Sequence, residues 1–493
     1  MTQPPMPSVS LIEHSFFFTH HERERIANLS VKSYPSILAR LLRPMWWGVS
    51  KLIPETVAPN AIGLLGVVLS MQALQVVTQY YHDPAHARVA AVVAALLLLG
   101  SSWCSALDGV HAERCRTGTF LGSIFSEICH SMKHVFFSLS VLHVLGIEDL
   151  EVQWYTVMAL QFARLAHTFV KYGPKTKPDA ASLSRLFSST ELAVLQIAIL
   201  AFPHYVPVDT IVQNITNYAW IAYWAMVVLC LVSAPLMRSE GTSLVPLGIV
   251  LLSRVLPSFI LPLNELTQLS VIADATTVAT LTIEVVLSSF AHRTIHSCIS
   301  VVALLGCFNS ILSIAGCVLY LGGVLLDLSV ATKTPLFVPI RNVYIDGVYD
   351  LCHIGHKRLM EYALKHGNRL IVGVLSDEAC VEYKRKPIMT TEERCTEVRS
   401  CRWVSQVISG APDKGLTKEF LKKHNIHVVV YGEEYDTPTD HYYRAAREMG
   451  IGVTAPRTPG MSTSEIIRRI ANADQEALSA KDKANPNKKQ LGV

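Results

Sequence analysis

The sequence predicts a polytopic α-helical membrane bundle followed by an α/β domain built on a parallel sheet. Three observations carry this expectation. Of the 493 residues, 50% are hydrophobic and only 17% are charged, which is too apolar for an ordinary soluble chain of this length. Nearly all of the excess lies before Ala331, as apolar runs separated by short polar loops. After Pro335 and Pro339 the composition changes at once to a charged, alternating pattern in which strands alternate with helices, the mark of a parallel sheet. The boundaries expected are an interfacial, cytosolic N-terminal segment at 1–60, a transmembrane domain at 61–332, an α/β domain at 333–473 and a disordered tail at 474–493.

A bilayer span needs ~20 apolar residues. Candidate spans are 61–77, 89–104, 135–147 with its flanks, 154–170, 191–202, 219–232, 244–263, 271–290 and a long stretch at 297–331 that holds two spans broken near Ser310 or Gly316. These runs are apolar on all sides, whereas helices buried in a soluble core keep a polar face at the 3.6-residue period. Residues 34–53, with Arg40, Arg43, Trp46, Trp47 and Lys51, read as a helix lying in the interface or as a plain amphipathic surface helix. The first sixty residues lack the charged start and short apolar stretch of a cleavable signal. Lys171, Lys175, Lys177 and Arg185 place the 171–185 loop on the cytosolic side. Of the acids within or beside spans, Asp108, Glu284, Asp274 and Asp327, the last two are expected at span ends, open to solvent.

Charge names no partner. A net charge of +4 is far from the clustered basic face of a nucleic-acid binder, so none is expected. Eleven cysteines without any C-x-x-C pair fit neither a disulfide framework nor a zinc knuckle, and no metal-ligating set is assigned.

The soluble region carries the strongest chemistry. A strand at 342–345 leads through a turn at 346–354 into a helix at 355–365 whose start presents His353 and His356. Further strands are expected at 369–375, 404–409 and 427–431, with ligand at their carboxyl ends. Residues 457–464 (RTPGMSTS) form a Gly-containing loop that opens a helix at 465–470, and its free N–H groups and hydroxyls make a second anion site. Two histidines one helical turn apart suit a phosphorane whose extra negative charge develops only in the transition state. No side chain is placed as a nucleophile, so direct in-line attack of a substrate phosphate on a nucleotide α-phosphate is the simplest scheme.

The segments DGVYDLCHIGH (346–356) and RTPGMSTSEII (457–467) resemble the signatures of the cytidylyltransferase family, over roughly residues 343–470. The resemblance implies a Rossmann-like nucleotidyltransferase domain that joins CTP, with Mg2+, to a phosphorylated alcohol and releases pyrophosphate. By matching position His353, His356, Lys384 and Arg457 would be catalytic, with Lys384 bridging CTP and substrate phosphates. Without that match, residues 384–386 read as a solvated charge run. Asp346, Gly347, Val348, Tyr349, Tyr431, Thr458, Met461, Ser462 and Thr463 would line the CTP site. Asp377 is read as shaping a strand end rather than moving a proton.

The resemblance narrows the substrate to phosphoethanolamine or phosphocholine. Phosphocholine members enclose the quaternary ammonium with aromatic rings, typically with a tryptophan after an Ala-Pro pair, and here that position is Asp413. The strand end Tyr431-Gly432-Glu433-Glu434 is similar to phosphoethanolamine members. A hydrogen-bonding ammonium would suit Asp346, Glu433 or Glu434 beside Tyr435. Against this, Tyr435, Tyr442 and Tyr443 offer a partial cage, and CRWV (401–404) and TKEFL (417–421) resemble phosphocholine members. Phosphoethanolamine is favoured, and a glycerol phosphate is the lesser alternative.

Residues 107–122 (LDGVHAERCRTGTFLG), preceded by PNAIGLLG at 59–66, resemble the CDP-alcohol phosphotransferase motif of choline and ethanolamine phosphotransferases, in which four aspartates hold CDP and two metals. Only Asp108, followed by Gly109, survives. The other positions read Ser105, Ser126 and His130, and Glu113 replaces an arginine. Divalent ions need several hard anionic oxygens, so the set is vestigial unless Glu113, Glu127 and His130 form a rearranged site. The expectation is a cytidylyltransferase of phospholipid synthesis anchored, as a homodimer, by a silent bundle in contact with membrane lipids. Its location would be the endoplasmic reticulum, with the C-terminal domain cytosolic. A bifunctional enzyme that also transfers the headgroup to diacylglycerol, and a scaffold or transporter that senses nucleotide, are the alternatives.

Overall fold

A computed structural model describes residues 17–27, 37–80, 83, 85–172, 208–237, 245–255, 266–383 and 386–484. The expected span at 191–202, most of the basic loop at 171–185 and Lys384 lie outside the described residues. The chain divides into two compact units, 1–339 and 340–493.

The first unit is helical. Its elements are α1 (His20–Ala27), α2 (Ile37–Ser50), α3 (Pro59–Tyr80), α4 (Ala87–Arg114), α5 (Phe120–Val144), α6 (Leu150–Tyr172), α7 (Val208–Ser233), α8 (Val245–Val255), α9 (Gln268–Ala291), α10 (Cys298–Phe308) and α11 (Ser310–Thr332). Five of these, α3, α4, α7, α9 and α11, are long and apolar enough by length and composition to cross a membrane. Helix α9 is the most enclosed and packs against α5, α6 and α11. Helix α2 buries Trp46 against Ile62, Cys104 and Leu107 while leaving Leu41 exposed, as an amphipathic helix does. The break in the last apolar stretch falls at Asn309, whose side-chain oxygen accepts from the N–H groups of Ile311 and Leu312 at 2.9 and 3.1 Å. This is a helix N-cap.

Two expectations change here. Helix α5 begins at Phe120, fifteen positions before the apolar run at 135, because its polar residues Ser131, Lys133 and His134 are buried within the bundle and break the hydropathy signal. Asp327 is not open to solvent. It is 7% exposed and accepts hydrogen bonds from Phe17 N and Phe18 N, both at 3.1 Å, and an ion pair from Arg23. Glu284, fully buried, is held by Arg293 at 2.9 Å, His296 N at 2.9 Å and Tyr320 Oη at 2.5 Å. Trp154 Nε1 donates to Asp274 at 2.8 Å. Pairing of this kind is what makes a buried carboxylate tolerable.

The second unit holds five parallel strands in the order β3-β2-β1-β4-β5. These are β1 (Asn342–Gly347), β2 (Arg369–Val374), β3 (Gln406–Ser409), β4 (Ile426–Gly432) and β5 (Gly452–Ala455), the last with no counterpart in the sequence reading. The helices between them are α12 (Ile354–Leu364), α13 (Asp377–Tyr383), α14 (Thr391–Ser400), α15 (Lys418–Lys423) and α16 (Arg444–Glu448), and α17 (Thr463–Ala484) follows β5. Val343, Ile345, Val372 and Val428 enter a core on one face of the sheet, and Tyr344, Ile371 and Val429 one on the other. Strands so covered on both faces are a doubly wound, Rossmann-like sheet. Its strand order reverses between β1 and β4, the usual place for a ligand. Helix α17 runs to Ala484, where composition predicted a chain without structure from 474. The Ala, Gln, Glu and Lys there are strong helix formers.

Candidate active site

The turn after β1 is shaped by backbone conformation as much as by side chains. Tyr349 and Leu351 both adopt left-handed φ, at +56° and +51°, which costs bulky residues about 1–3 kcal/mol each unless the surroundings hold them. The surroundings do so. Tyr349 is 1% exposed, and its ring meets that of His356 edge-on at 5.1 Å. The Asp350 carboxylate accepts from Ile388 N and Met389 N at 3.1 and 3.0 Å.

His353 and His356 stand at the start of α12, rings stacked with centroids 3.9 Å apart. His353 Nδ1 accepts from Gly355 N at 3.1 Å, and His356 Nδ1 accepts more weakly from His353 N at 3.4 Å. Nδ1 is thus the acceptor on each ring, which assigns the proton of the neutral imidazole to Nε2 and makes that nitrogen a donor. Burial lowers the His353 pKa from its ordinary value, so the neutral form prevails at pH 7. A Cβ at Gly355 would lie 3.0 Å from the His353 ring and 3.7 Å from Met461. Glycine there lets the imidazole close over the helix start.

The second loop arrives from the end of β5. Thr463 Oγ1 lies 3.2 Å from the Asp350 carbonyl, to which it donates, and 3.5 Å from His353 Nε2. Ser462 Oγ accepts from Glu465 N at 3.2 Å at the start of α17. The imidazole pair, Met461 and Thr463 therefore meet beyond the carboxyl end of the central strand β1. Arg457 is exposed and close enough to Tyr435 to act on it electrostatically.

A second cluster lies at the carboxyl ends of β1 and β4. Asp346 accepts hydrogen bonds from Tyr443 Oη at 2.6 Å and Tyr442 Oη at 2.8 Å. Tyr442 Oη also lies 2.6 Å from the Pro412 carbonyl, next to Asp413. Tyr443 stacks on Tyr431 at 4.5 Å and meets Tyr435 edge-on at 5.7 Å. Burial raises the Asp346 pKa against the opposing effect of these phenols. Glu433 and Glu434 are exposed beyond β4.

Sequence reasoning passed over Arg394 and gave Asp377 only a shaping role. Arg394 is fully buried and pairs with Asp377 at 2.6 Å. The Asp377 carboxyl is opposed by burial but held below its ordinary pKa by this bond and by Thr391. No group of three or more His, Cys, Asp or Glu among the described residues is arranged to hold a metal ion.

In the first unit, Asp108 accepts from Ser126 Oγ at 2.8 Å, and Lys133 Nζ donates to Ser105 Oγ at 2.6 Å. Ser105, Ser126 and His130 thus lie around Asp108, with the buried Lys133 ammonium among them. The rearranged site of Glu113, Glu127 and His130 is not formed. Glu113 pairs with Arg43, and Glu127 with Arg164 and Lys171. His130 Nε2 lies 3.3 Å from the Ser105 carbonyl. These residues do not fit a divalent metal pair.

The cytidylyltransferase-like family model matches residues 344–469. The ethanolamine-phosphate cytidylyltransferase of Dictyostelium discoideum is 36% identical over 159 residues, covering 30% of this chain and 44% of that protein. The choline-phosphate cytidylyltransferase of Saccharomyces cerevisiae is 36% identical over 159 residues, covering 31% of this chain and 37% of its own length. Choline-phosphate cytidylyltransferase A of Rattus norvegicus is 41% identical over 141 residues, covering 28% and 38%. The chain thus spans less than half the length of these curated relatives. Its second unit carries a cytidylyltransferase-like domain over residues 344–469.

Proposed function

We propose that this chain is a CTP-dependent cytidylyltransferase that forms CDP-ethanolamine, with CDP-choline as the runner-up product, and pyrophosphate. The observation that carries the reading is the pairing of two chemistries beyond the carboxyl end of the central strand β1. Asp346 sits near the end of β1 with two phenols on its carboxylate, and His353 and His356 open the next helix. A cationic headgroup held at Asp346 would direct its phosphate toward the imidazoles.

In the step proposed, a phosphate oxygen of the phospho-alkanolamine attacks the α-phosphorus of CTP, the new P–O bond forms, and the α–β bridging P–O bond breaks. Pyrophosphate leaves with its electron pair. The Nε2–H groups of His353 and His356 donate to the α-phosphate oxygens as charge builds on them, which is transition-state stabilisation rather than proton transfer. Arg457, Thr458, Met461, Ser462 and Thr463 bind the nucleotide from the other side with Gly347, Val348, Tyr349 and Tyr431, and Lys384 bridges the phosphates. Phosphoethanolamine is preferred because Asp346 and Asp413 supply acceptors that a primary ammonium can use and a quaternary one cannot.

The five apolar helices of the first unit support membrane anchoring; the endoplasmic reticulum as its location, a cytosolic second unit and a homodimer complete the proposal. The Ser105, Ser126 and His130 replacements support a bundle without phosphotransferase activity. Pyrophosphate release from CTP by the purified full chain, measured with different phosphorylated alcohols, tests the reading.

A further inference from the structure

We infer that Arg394 is a positioning residue for the nucleotide half of this site: its guanidinium fixes the strained turn after β1 on which the imidazole pair depends. The inference rests on the cytidylyltransferase reading for its kinetic consequence, while its structural part stands apart from that reading.

In sequence, Arg394 belongs to a charged helix, TEERCTEVRS, and reads as a solvated side chain. In the structure it is fully buried and its donors are distributed over four separate segments. Nη1 donates to the Val348 carbonyl at 2.7 Å and to the Leu375 carbonyl at 2.9 Å. Nη2 donates to Asp377 Oδ1 at 2.6 Å and Thr391 Oγ1 at 3.1 Å. Nε donates to the Met389 carbonyl at 3.1 Å. One planar group therefore ties the loop after β1, the end of β2, the start of α13 and the entry to α14. Val348 directly precedes left-handed Tyr349, whose buried ring packs on His356.

The contact on Val348 is thus placed where loss of one hydrogen bond frees a conformation that bulky residues leave readily. Asp350 reaches the same 388–389 backbone from the other side, so turn and segment are clamped together. The fork geometry is specific to arginine, since lysine offers one point charge and no planar array. Arg394 itself donates to none of Asp346, Tyr442 and Tyr443, and the Asp346 carboxylate is held by phenols instead. A defect at Arg394 should therefore separate the two substrates.

The test uses the full chain with Arg394→Ala, Arg394→Lys and Asp377→Asn, each checked by circular dichroism and thermal melting. Wild-type pyrophosphate release is measured first, and its absence would count against the activity reading rather than this one. The expected result for Arg394→Ala is a rise in KM for CTP of about tenfold or more, with KM for the phospho-alkanolamine changed less than about threefold, and partial restoration by added guanidinium but not by methylammonium. Arg394→Lys is expected to share the CTP defect. Asp377→Asn, at a partly exposed carboxylate, retains the fold and gives a smaller defect of the same kind. Hydrogen exchange over residues 347–352 reads the contact without turnover and is expected to accelerate in all three variants. Equal loss toward both substrates, no guanidinium rescue in folded protein, or unchanged exchange in Asp377→Asn would overturn the assignment.

Discussion

The side-chain oxygen of Thr463 lies 3.5 Å from Nε2 of His353, across 110 positions of sequence. The same hydroxyl donates to the Asp350 carbonyl, so the loop that opens α17 is pinned to the turn that opens α12. Thr463→Ala removes that hydroxyl without altering the sheet. Loss of one neutral hydrogen bond is worth about 0.5–1.5 kcal/mol, so kcat/KM for CTP should fall by a few-fold to about tenfold as the two loops come unpinned, with a small drop in melting temperature. Steady-state kinetics with CTP varied checks this.

The two imidazoles differ in exposure of their effects. His356→Ala deletes a proposed donor to the α-phosphate together with the ring on which Tyr349 packs. Loss of one preorganised donor typically costs ~10²–10³ in kcat, and the variant should fall at or below the detection limit of pyrophosphate release. His353→Asn retains an acceptor for Gly355 N and should keep the fold while losing activity comparably. An active His356→Ala variant would remove the histidine pair from the mechanism.

Asp346 predicts a pH dependence. Its carboxyl has a pKa raised above the ordinary 3.8 by burial, against the pull of Tyr443 and Tyr442. A cationic headgroup binds only the ionised form. As pH falls through the raised value, KM for the phospho-alkanolamine should climb, and it should do so at a higher pH than for an ordinary carboxylate. The linkage to stability has the opposite sense: the raised group favours the fold most fully below its unfolded pKa, and that contribution is lost as pH rises through the folded value. Bound headgroup should therefore raise the melting temperature most at neutral pH. Asp346→Asn should flatten the KM profile.

Much of this site was legible in the chain. A β-strand, a turn with two histidines and a second hydroxyl-bearing loop are local patterns, and local patterns survive in sequence. The Arg394 network was not legible, because its partners are mostly backbone carbonyls at strand ends, which no residue type announces. In the sequence Tyr442 and Tyr443 are aromatic material for a cage; in the structure their hydroxyls turn to Asp346. In the first unit, Lys133 lies among polar residues whose burial depends on tertiary packing rather than on hydropathy. The helical extension to Ala484 is carried by helix propensity rather than by apolar residues, and so leaves no hydropathy pattern in the sequence.

Lys133 offers a test of the first unit. It is 3% exposed, donates to Ser105 and is an opposite charge in the neighbourhood of Asp108. Removing one member of a buried charge cluster costs about 3–5 kcal/mol. Lys133→Met should therefore lower the unfolding temperature of the detergent-purified chain, and Asp108→Asn in the same chain should recover part of the loss. Thermal unfolding followed by circular dichroism measures both.

The central claim is a nucleotidyl transfer from CTP to a phosphorylated amino alcohol. Its most direct test is pyrophosphate release by the purified full chain with CTP and Mg2+, comparing phosphoethanolamine, phosphocholine and glycerol phosphate. Release is expected only when a phospho-alcohol is present, fastest with phosphoethanolamine and abolished in His356→Ala. CTP binding with no pyrophosphate released under any of the three would contradict it.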